Sequence, residues 1–370
     1  MCKADVAIIG AGPAGSTLAA LLAQRGVRVT LFDRDEFPRD KLCGEFLSYD
    51  ALPVLRELGV VDAIDAAGAP HIERCRIVGR RRVSAFALPH PARGVSRMLL
   101  DAAILDAAKR SGAHFEVRAI GDLRECEAKI VAGAWGRWGR FDRALGRSFV
   151  RSTDRNFGFK RHYRAHTSPA NHIDLYSFRR GYLGVNAVEG GITNICGLVH
   201  ASRLAGHKGR WDAFVETIRR EEPPLDALYA AHEPAHEHFL SSDPVIFRAR
   251  SAVEEGVFMI GDASGVIDPL TGNGMAMAVQ SALLAAPRLL RLLESPSQRD
   301  AIENEYRRAH HALFTRRLAW SRVAARLLSH PRAMDAALAT LRSPKLGALF
   351  LRNTRASFEE IDRLAREWFG

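Results

Sequence analysis

Apolar positions in the first part of the chain alternate between short continuous runs and a helical period. Residues 5–9 are mostly apolar and stop at Gly10, which predicts a buried strand ending in a turn. From Ser16 to Arg25, Leu18, Leu21 and Leu22 recur at helical spacing, and Gly26 closes the segment. A second apolar run, 27–32, ends at Asp33. Strand, glycine turn, helix and strand within about 30 residues make a βαβ unit with a parallel sheet.

Further along, residues 34–48 read as a charged loop and 51–58 as a helix, while 72–88 suggest strands separated at Gly79. Residues 97–108 form an amphipathic helical pattern closed by Ser111 and Gly112. The stretch 117–129 has room for about one strand or turn. From 157 to 200 the period shifts to two, which predicts an antiparallel sheet between two parts of the α/β unit. A helix is expected over 211–221, before Pro223 and Pro224, and a strand over 257–260. From Met275 onward the pattern is helical, with interruptions expected at Pro287, Pro296, Pro331 and Pro344. The predicted fold class is therefore α/β, a Rossmann-type unit built from separated segments with an inserted β-sheet and a helical C-terminus.

Composition narrows this little. The 370 residues are 47% hydrophobic and 26% charged, which excludes a disordered tail, a collagen and a disulfide scaffold. The excess of 53 Lys+Arg over 42 Asp+Glu gives +11 and admits a nucleic acid, an anionic membrane surface or an acidic ligand. No nucleic-acid-binding module accompanies that charge, so nucleic acid is not expected. The five cysteines, Cys2, Cys43, Cys75, Cys126 and Cys196, form no C-x-x-C pair, and the 14 histidines show no metal-ligand spacing. No metal site is expected, and a reducing cytoplasm is the simplest location. The opening residues lack a basic leader, and no uninterrupted apolar run approaches the roughly 20 residues that span a bilayer. Stable membrane insertion is not expected. Peripheral contact remains open, through an apolar face of Leu318, Trp320, Val323 and Leu327 among arginines.

The chemistry concentrates in two glycine-rich turns. Gly10-x-Gly12-x-x-Gly15 follows a strand and opens a helix, the placement that lets backbone N–H groups approach a pyrophosphate. Pro13 and Ala14 complete this turn, and Asp33, 18 residues beyond Gly15, is placed to accept ribose hydroxyls. An acid there disfavours a 2′-phosphate, which leaves NAD or FAD. The second turn, Gly261-Asp262 followed by Pro269, Gly272, Asn273 and Gly274, decides for FAD. A ribityl chain suits Asp262, and the free N–H groups of Gly272, Asn273 and Gly274 would face the flavin N1–C2=O edge at a helix N-terminus.

Together these segments resemble the FAD-dependent hydroxylase superfamily, the group A flavoprotein monooxygenase fold. The run from Arg39 through Lys41, Cys43, Gly44 and Glu45 to Ser48 resembles its geranylgeranyl-reductase-like branch, a neighbour of the flavin halogenases. The resemblance covers about residues 4 to 330, and it implies an FAD-binding unit in three parts, 1–70, 96–150 and 251–295. Substrate-domain strands at 71–95, a β-sheet substrate domain at 151–250 and C-terminal helices at 296–370 complete the implied division. It also implies that Arg97, in Ser96-Arg97, lies near the flavin and that Cys43 and Gly44 lie over the ring. Arg34 and Lys41 join the expected cofactor contacts.

Three departures from the family pattern bear on activity. An Ala-Asp-Gly motif has as its counterpart Ala134-Trp135-Gly136, without the acid that helps place NADPH. Its loss counts against direct use of NADPH, which leaves a separate flavin reductase, or NAD(P)H bound another way, as the electron donor. The Tyr-x-Trp-x-Phe-Pro stretch of prenyl reductases is matched only by Tyr182-Leu-Gly184-Val-Asn186-Ala187. No Trp-x-Trp-x-Ile-Pro halogenase motif occurs, so halogenation is not expected.

A monooxygenase needs a reduced flavin, oxygen and a dry pocket, and asks the protein for position more than for acid–base groups. An alkene reductase needs a proton donor, for which Cys43 and Glu45 are the candidates. The plain alternatives are a packing role for Cys43 and an ion pair from Glu45 to Arg39 or Lys41. Tyr182 and Asn186 are candidate substrate-pocket residues, with an ordinary sheet role as the alternative. Trp135 reads as a core or interface tryptophan, and His232, His236 and His238 as part of a solvated segment. The leading expectation is FAD-dependent hydroxylation of an aromatic or polyketide-like small molecule. The alternatives are reduction of isoprenoid double bonds and a non-catalytic FAD-binding protein.

Overall fold

The structure, a computed structural model, describes residues 4–152, 156–165, 171–207, 209–247, 250–340 and 344–370. Strand β1 (Ala4–Ile9) leads through a glycine turn into α1 (Pro13–Gln24), and β2 (Val29–Asp33) follows. Next come β3 (Phe46–Leu47), α2 (Leu52–Glu57), α3 (Val60–Ala66), β4 (His71–Val78), β5 (Val83–Gly94) and α4 (Arg97–Arg110). Strands β6 (His114–Val117) and β7 (Ala128–Gly133) precede α5 (Arg140–Ala144). The period-two region forms β8 (Asn156–Ala165), β9 (His172–Phe178), β10 (Gly181–Ala187) and β11 (Ile192–His200). Helices α6 (Trp211–Glu221) and α7 (Pro223–Ala230) and the short strands β12 (His232–Pro234), β13 (Leu240–Ser241), β14 (Val253–Glu254) and β15 (Val257–Met259) come next. The chain closes with α8 (Gly274–Glu294), α9 (Arg299–Leu328), α10 (Pro331–Thr340), α11 (Pro344–Thr354) and α12 (Phe358–Phe369).

Two sheets result. The first runs β14-β15-β7-β1-β2-β6 and is parallel apart from the β14/β15 pair. Its central strands β1 and β7 carry runs of apolar residues, as a sheet covered on both faces requires. Helix α1 packs between α4 and α8, and Leu18, Leu21 and Leu22 are fully buried there. The second sheet runs β12-β8-β11-β10-β9-β4-β5-β3, with β13 beside β8, and is antiparallel except where β4 meets β9. The α/β class with an antiparallel sheet and a helical C-terminus is thus observed.

Several local expectations change. The stretch 117–129 holds one turn, as expected, but strands β6 and β7, which the periodicity does not show, flank it, and β7 lies beside β1 at the centre of the sheet. Between them Leu123–Cys126 forms a 3₁₀ turn capped by Asp122. The charged loop 34–48 ends in β3, which pairs with the end of β5. Pro287 does not interrupt its helix: α8 runs through it from Gly274 to Glu294. That helix buries Val279, Ala282, Leu283, Ala286 and Leu289 in the core, and tertiary packing of this kind overrides the local cost of proline. By length and composition α8 could cross a membrane, but most of it is covered by protein.

Candidate functional site

Two of the three glycines at the β1–α1 turn are fixed by the protein's own packing. Gly10 has φ +108°, and a Cβ there would lie 2.3 Å from the Ala134 carbonyl oxygen. A Cβ on Gly15 would lie 1.8 Å from the Gly10 carbonyl oxygen. Gly12 is different, because the nearest atom to a Cβ there is Arg97 Nη2 at 3.9 Å. No protein atom demands glycine at that position. The open space lies at the N-terminus of α1, where unpaired N–H groups and positive potential favour a phosphate. Pro13 and Ala14 form the first turn of this helix and are buried.

Asp33 ends β2, as the sequence predicts, and is buried. Its carboxylate accepts from Ala11 N at 2.8 Å, from Asp35 N at 3.1 Å and from Arg39 Nη1 and Nη2 at 2.6 and 2.8 Å. Four donors use the carboxylate's usual capacity, so a ribose hydroxyl must displace or share the Arg39 guanidinium. Arg34 points into solvent and sits 3.6 Å from Asp35. Lys41 lies at the edge, with Nζ 3.2 Å from Asp35.

The second glycine turn is joined to the first by close approach. Gly261 has φ +59°, and a Cβ there would meet Ala14 Cβ at 2.8 Å. Asp262 is half-buried, and its carbonyl accepts from Arg250 Nη1 at 2.8 Å. Pro269 is exposed, whereas Gly272 packs on the Phe46 ring with φ +61°. The Asn273 side chain is not turned toward open space. It donates to both Asp50 oxygens, at 3.0 and 3.1 Å, which leaves the backbone of Asn273 and Gly274 to present the N-terminus of α8. Gln280 also donates to Asp50, while Arg317 donates to Gln280 Oε1 at 2.6 Å. Burial pulls the Arg317 guanidinium down to about 10. Arg355, from the C-terminal helices, donates to Ser48 Oγ and to the Thr271 carbonyl. These side chains brace the turn from behind, and the sequence pattern did not reveal them.

Cys43, Gly44 and Glu45 lie on a loop held by one face of the second sheet. Strand register aligns His162, Asn194 and Asn186 across β8, β11 and β10, with Lys160, Cys196 and Gly184 in the adjacent row. Glu45, fully buried at φ +52°, is the hub of the contacts. Its Oε1 accepts from Lys160 Nζ at 2.7 Å and Arg97 N at 3.0 Å, and its Oε2 lies 2.6 Å from His162 Nε2. Lys160, 1% exposed, also donates to Asp40 and to the Lys41 carbonyl. Burial acts against the Lys160 ammonium, yet Glu45 and Asp40 hold it above the ordinary lysine value. The ion pair expected from Glu45 to Arg39 or Lys41 is not formed, because Asp33 and Asp35 take both of those cations.

Asn194 Nδ2 donates to the Cys43 carbonyl at 3.1 Å, and Asn186 Nδ2 to the Glu45 carbonyl at 3.3 Å. Asn186 thus supports the loop. Burial pushes the Cys43 thiol above its ordinary value, although Arg97 opposes this. Arg97 itself pairs with buried Asp101 through Nε and Nη2, both at 2.6 Å. Burial pulls against its charge, but Asp101 raises the guanidinium further. Tyr182 is buried on the same sheet face, where its hydroxyl donates to Asp268 and accepts from Leu270 N at 3.0 Å. Burial pushes the Asp268 carboxyl up to about 6, against the lowering effect of the bonds it accepts from Tyr182 and, at 3.1 Å, from Leu270 N. Trp135 packs on Phe141 and donates to Asp142, in keeping with a core role. Among the described residues, no His, Cys, Asp and Glu group has a metal-site arrangement.

Residues 3–129 match the model of a family described as the FAD binding domain. That match covers about a third of this chain. The protein's cofactor is FAD, and the open space at Gly12 together with the two apposed glycine turns fits that group. Over 358 residues the chain is 26% identical to conditioned medium factor receptor 1 of Dictyostelium discoideum, covering 82% of this chain and 66% of that protein. It is 24% identical to squalene monooxygenase of Mus musculus, covering 75% of this chain and 53% of that protein. With menaquinone reductase of Mycolicibacterium smegmatis it shares 28% identity, covering 77% of this chain and 76% of that protein. The flavin-dependent brominase Bmp2 shares the fold, with a TM-score of 0.78 at 18% identity over 98% of this chain and 97% of that one. The chain thus spans less than two thirds of the length of the first two of these curated relatives.

Proposed function

We propose that the protein is an FAD-dependent oxidoreductase of the monooxygenase type, acting on an aromatic or polyketide-like small molecule. Bound FAD supplies the redox chemistry, and the chain's own groups bind, orient and exclude water. The N-terminus of α1 and the Gly12 space take the pyrophosphate, Asp33 the ribose, and the N-terminus of α8 the ring's N1–C2=O edge. Lys160, His162, Asn186 and Asn194 fix the Cys43–Glu45 loop beside that ring, where expectation from the superfamily puts it.

The observation that carries this reading is the use made of Glu45. Its carboxylate turns into the sheet and is bonded to Lys160, His162 and the Arg97 amide, so it serves as a structural hub. Of the two proton-donor candidates, Cys43 and Glu45, this leaves the buried Cys43 thiol for a double-bond reduction. Similarity to menaquinone reductase over most of both chains supports the second reading, reduction of an isoprenoid double bond in the manner of the geranylgeranyl-reductase-like branch. Electrons reach the flavin from NAD(P)H or from a separate flavin reductase, and the four free thiols among the described residues suit a reducing cytoplasm.

The test reduces the FAD-loaded protein anaerobically and admits labelled oxygen with a panel of phenolic and prenylated compounds. Mass spectrometry should show a product gaining one labelled oxygen atom. A product gaining two hydrogens and no oxygen supports the second reading instead, and no turnover with any reductant contradicts both.

A further inference from the structure

Part of the surplus positive charge lies along one stretch of the C-terminal helices. Between Glu305 and Asp335 the sequence contains no acidic residue and seven arginines: Arg307, Arg308, Arg316, Arg317, Arg322, Arg326 and Arg332. Most of that interval is α9, whose inner face buries Phe314, Arg317, Ser321, Ala325 and Leu328. That face is attached to the flavin turn, because Arg317 donates to Gln280 and Ser321 Oγ accepts from Asp268 N at 3.3 Å.

The outer face has a different character. Trp320, Val323 and Leu327 are 40%, 59% and 36% exposed, and their spacing places them on one side of the helix. They are three of the seven large hydrophobic residues exposed among the described residues, while Val83, Met98, Val117 and Leu240 come from four separate elements. Arg316 precedes the stripe by one turn and Arg326 borders it, and both are exposed. Scattered surface apolar residues need no explanation, but an aligned stripe with an arginine border does.

We propose that the outer face of α9 docks on an anionic lipid bilayer, with Trp320, Val323 and Leu327 entering the headgroup boundary. Arg316, Arg322 and Arg326 then lie against lipid phosphates. The occupant has to be apolar and negatively charged at the same surface, and an acidic bilayer offers both together. The long arginine stems can lie along the apolar stripe while their guanidinium groups reach the phosphate layer.

The experiment sediments the full chain with vesicles of phosphatidylcholine alone, or of phosphatidylcholine and phosphatidylglycerol at about three to one, at low and high salt. Binding should favour the anionic vesicles by roughly tenfold or more and should weaken with salt. The triple variant Trp320→Ser, Val323→Ser, Leu327→Ser should lose roughly tenfold in affinity for anionic vesicles. All three side chains are exposed, so its melting temperature and FAD binding should stay those of the parent chain. Arg316→Gln with Arg326→Gln should reduce binding only to the anionic vesicles. Failure to bind them, or undiminished binding by the folded triple variant, overturns the proposal. The second result would assign the face to charge alone, as for an acidic protein partner. Neither outcome depends on the FAD chemistry.

Discussion

The β1–α1 turn and the Cys43–Glu45 loop are specified in opposite ways. The turn is a backbone structure: Gly10 and Gly15 allow a close approach, Gly12 leaves space, and all three lie within six residues. The loop is held by side chains from far along the chain, with Lys160 and His162 more than a hundred residues from Glu45. A glycine turn can therefore be read from spacing alone, whereas a loop clamp depends on strand register. The first tolerates little substitution at its packed glycines, and the second should fail through loss of charge balance.

The largest effect is expected at the packed glycine. Gly15→Val puts a side chain into the Gly10 carbonyl and should abolish FAD binding and lower stability by more than about 3 kcal/mol, read by flavin absorbance and chemical denaturation. Glu45→Ala comes next. It leaves buried Lys160 without one of its two carboxylate partners and removes the His162 contact, which should cost about 3–5 kcal/mol of unfolding free energy. If that variant melts like the parent, the clamp does not hold the loop.

Asp268 gives a smaller, pH-dependent effect. Its native value of about 6 lies above the ordinary carboxyl value, so the fold retains a proton that the unfolded chain releases. Its contribution is therefore complete below about pH 4 and lost as pH rises through about 6, a change of about 2–3 kcal/mol. Asp268→Asn should flatten the stability profile over that window while keeping the Tyr182 contact. A profile unchanged by the substitution would remove Asp268 as its cause. Arg34→Ala should do least, because the side chain points into solvent: less than about 0.5 kcal/mol in denaturation.

The contrast also explains what was legible in the sequence. The βαβ start, Asp33 at the end of β2, the antiparallel region and the helix N-terminus at Gly274 follow from local period and turn chemistry. The central strand β7 was missed because a six-residue strand beside a capped 3₁₀ turn leaves little periodic signal. Lys160 and His162 alternate correctly for one sheet face, but nothing local says that a glutamate arrives from the other unit. Asp50, Arg317 and Arg355 are similarly silent, since an arginine on a helix ordinarily faces water. Pro287 shows the converse, a strong local signal outweighed by burial of the helix around it.

The most direct test of the account is an FAD titration of apo-protein carrying Gly12→Ala, followed by flavin fluorescence and compared with the parent chain. A Cβ at Gly12 meets no protein atom closer than 3.9 Å, so the fold should be unchanged while FAD affinity falls by roughly tenfold or more. Parent-like FAD affinity in the folded variant, or failure of the parent chain to bind FAD, would contradict the assignment of this turn as the pyrophosphate site.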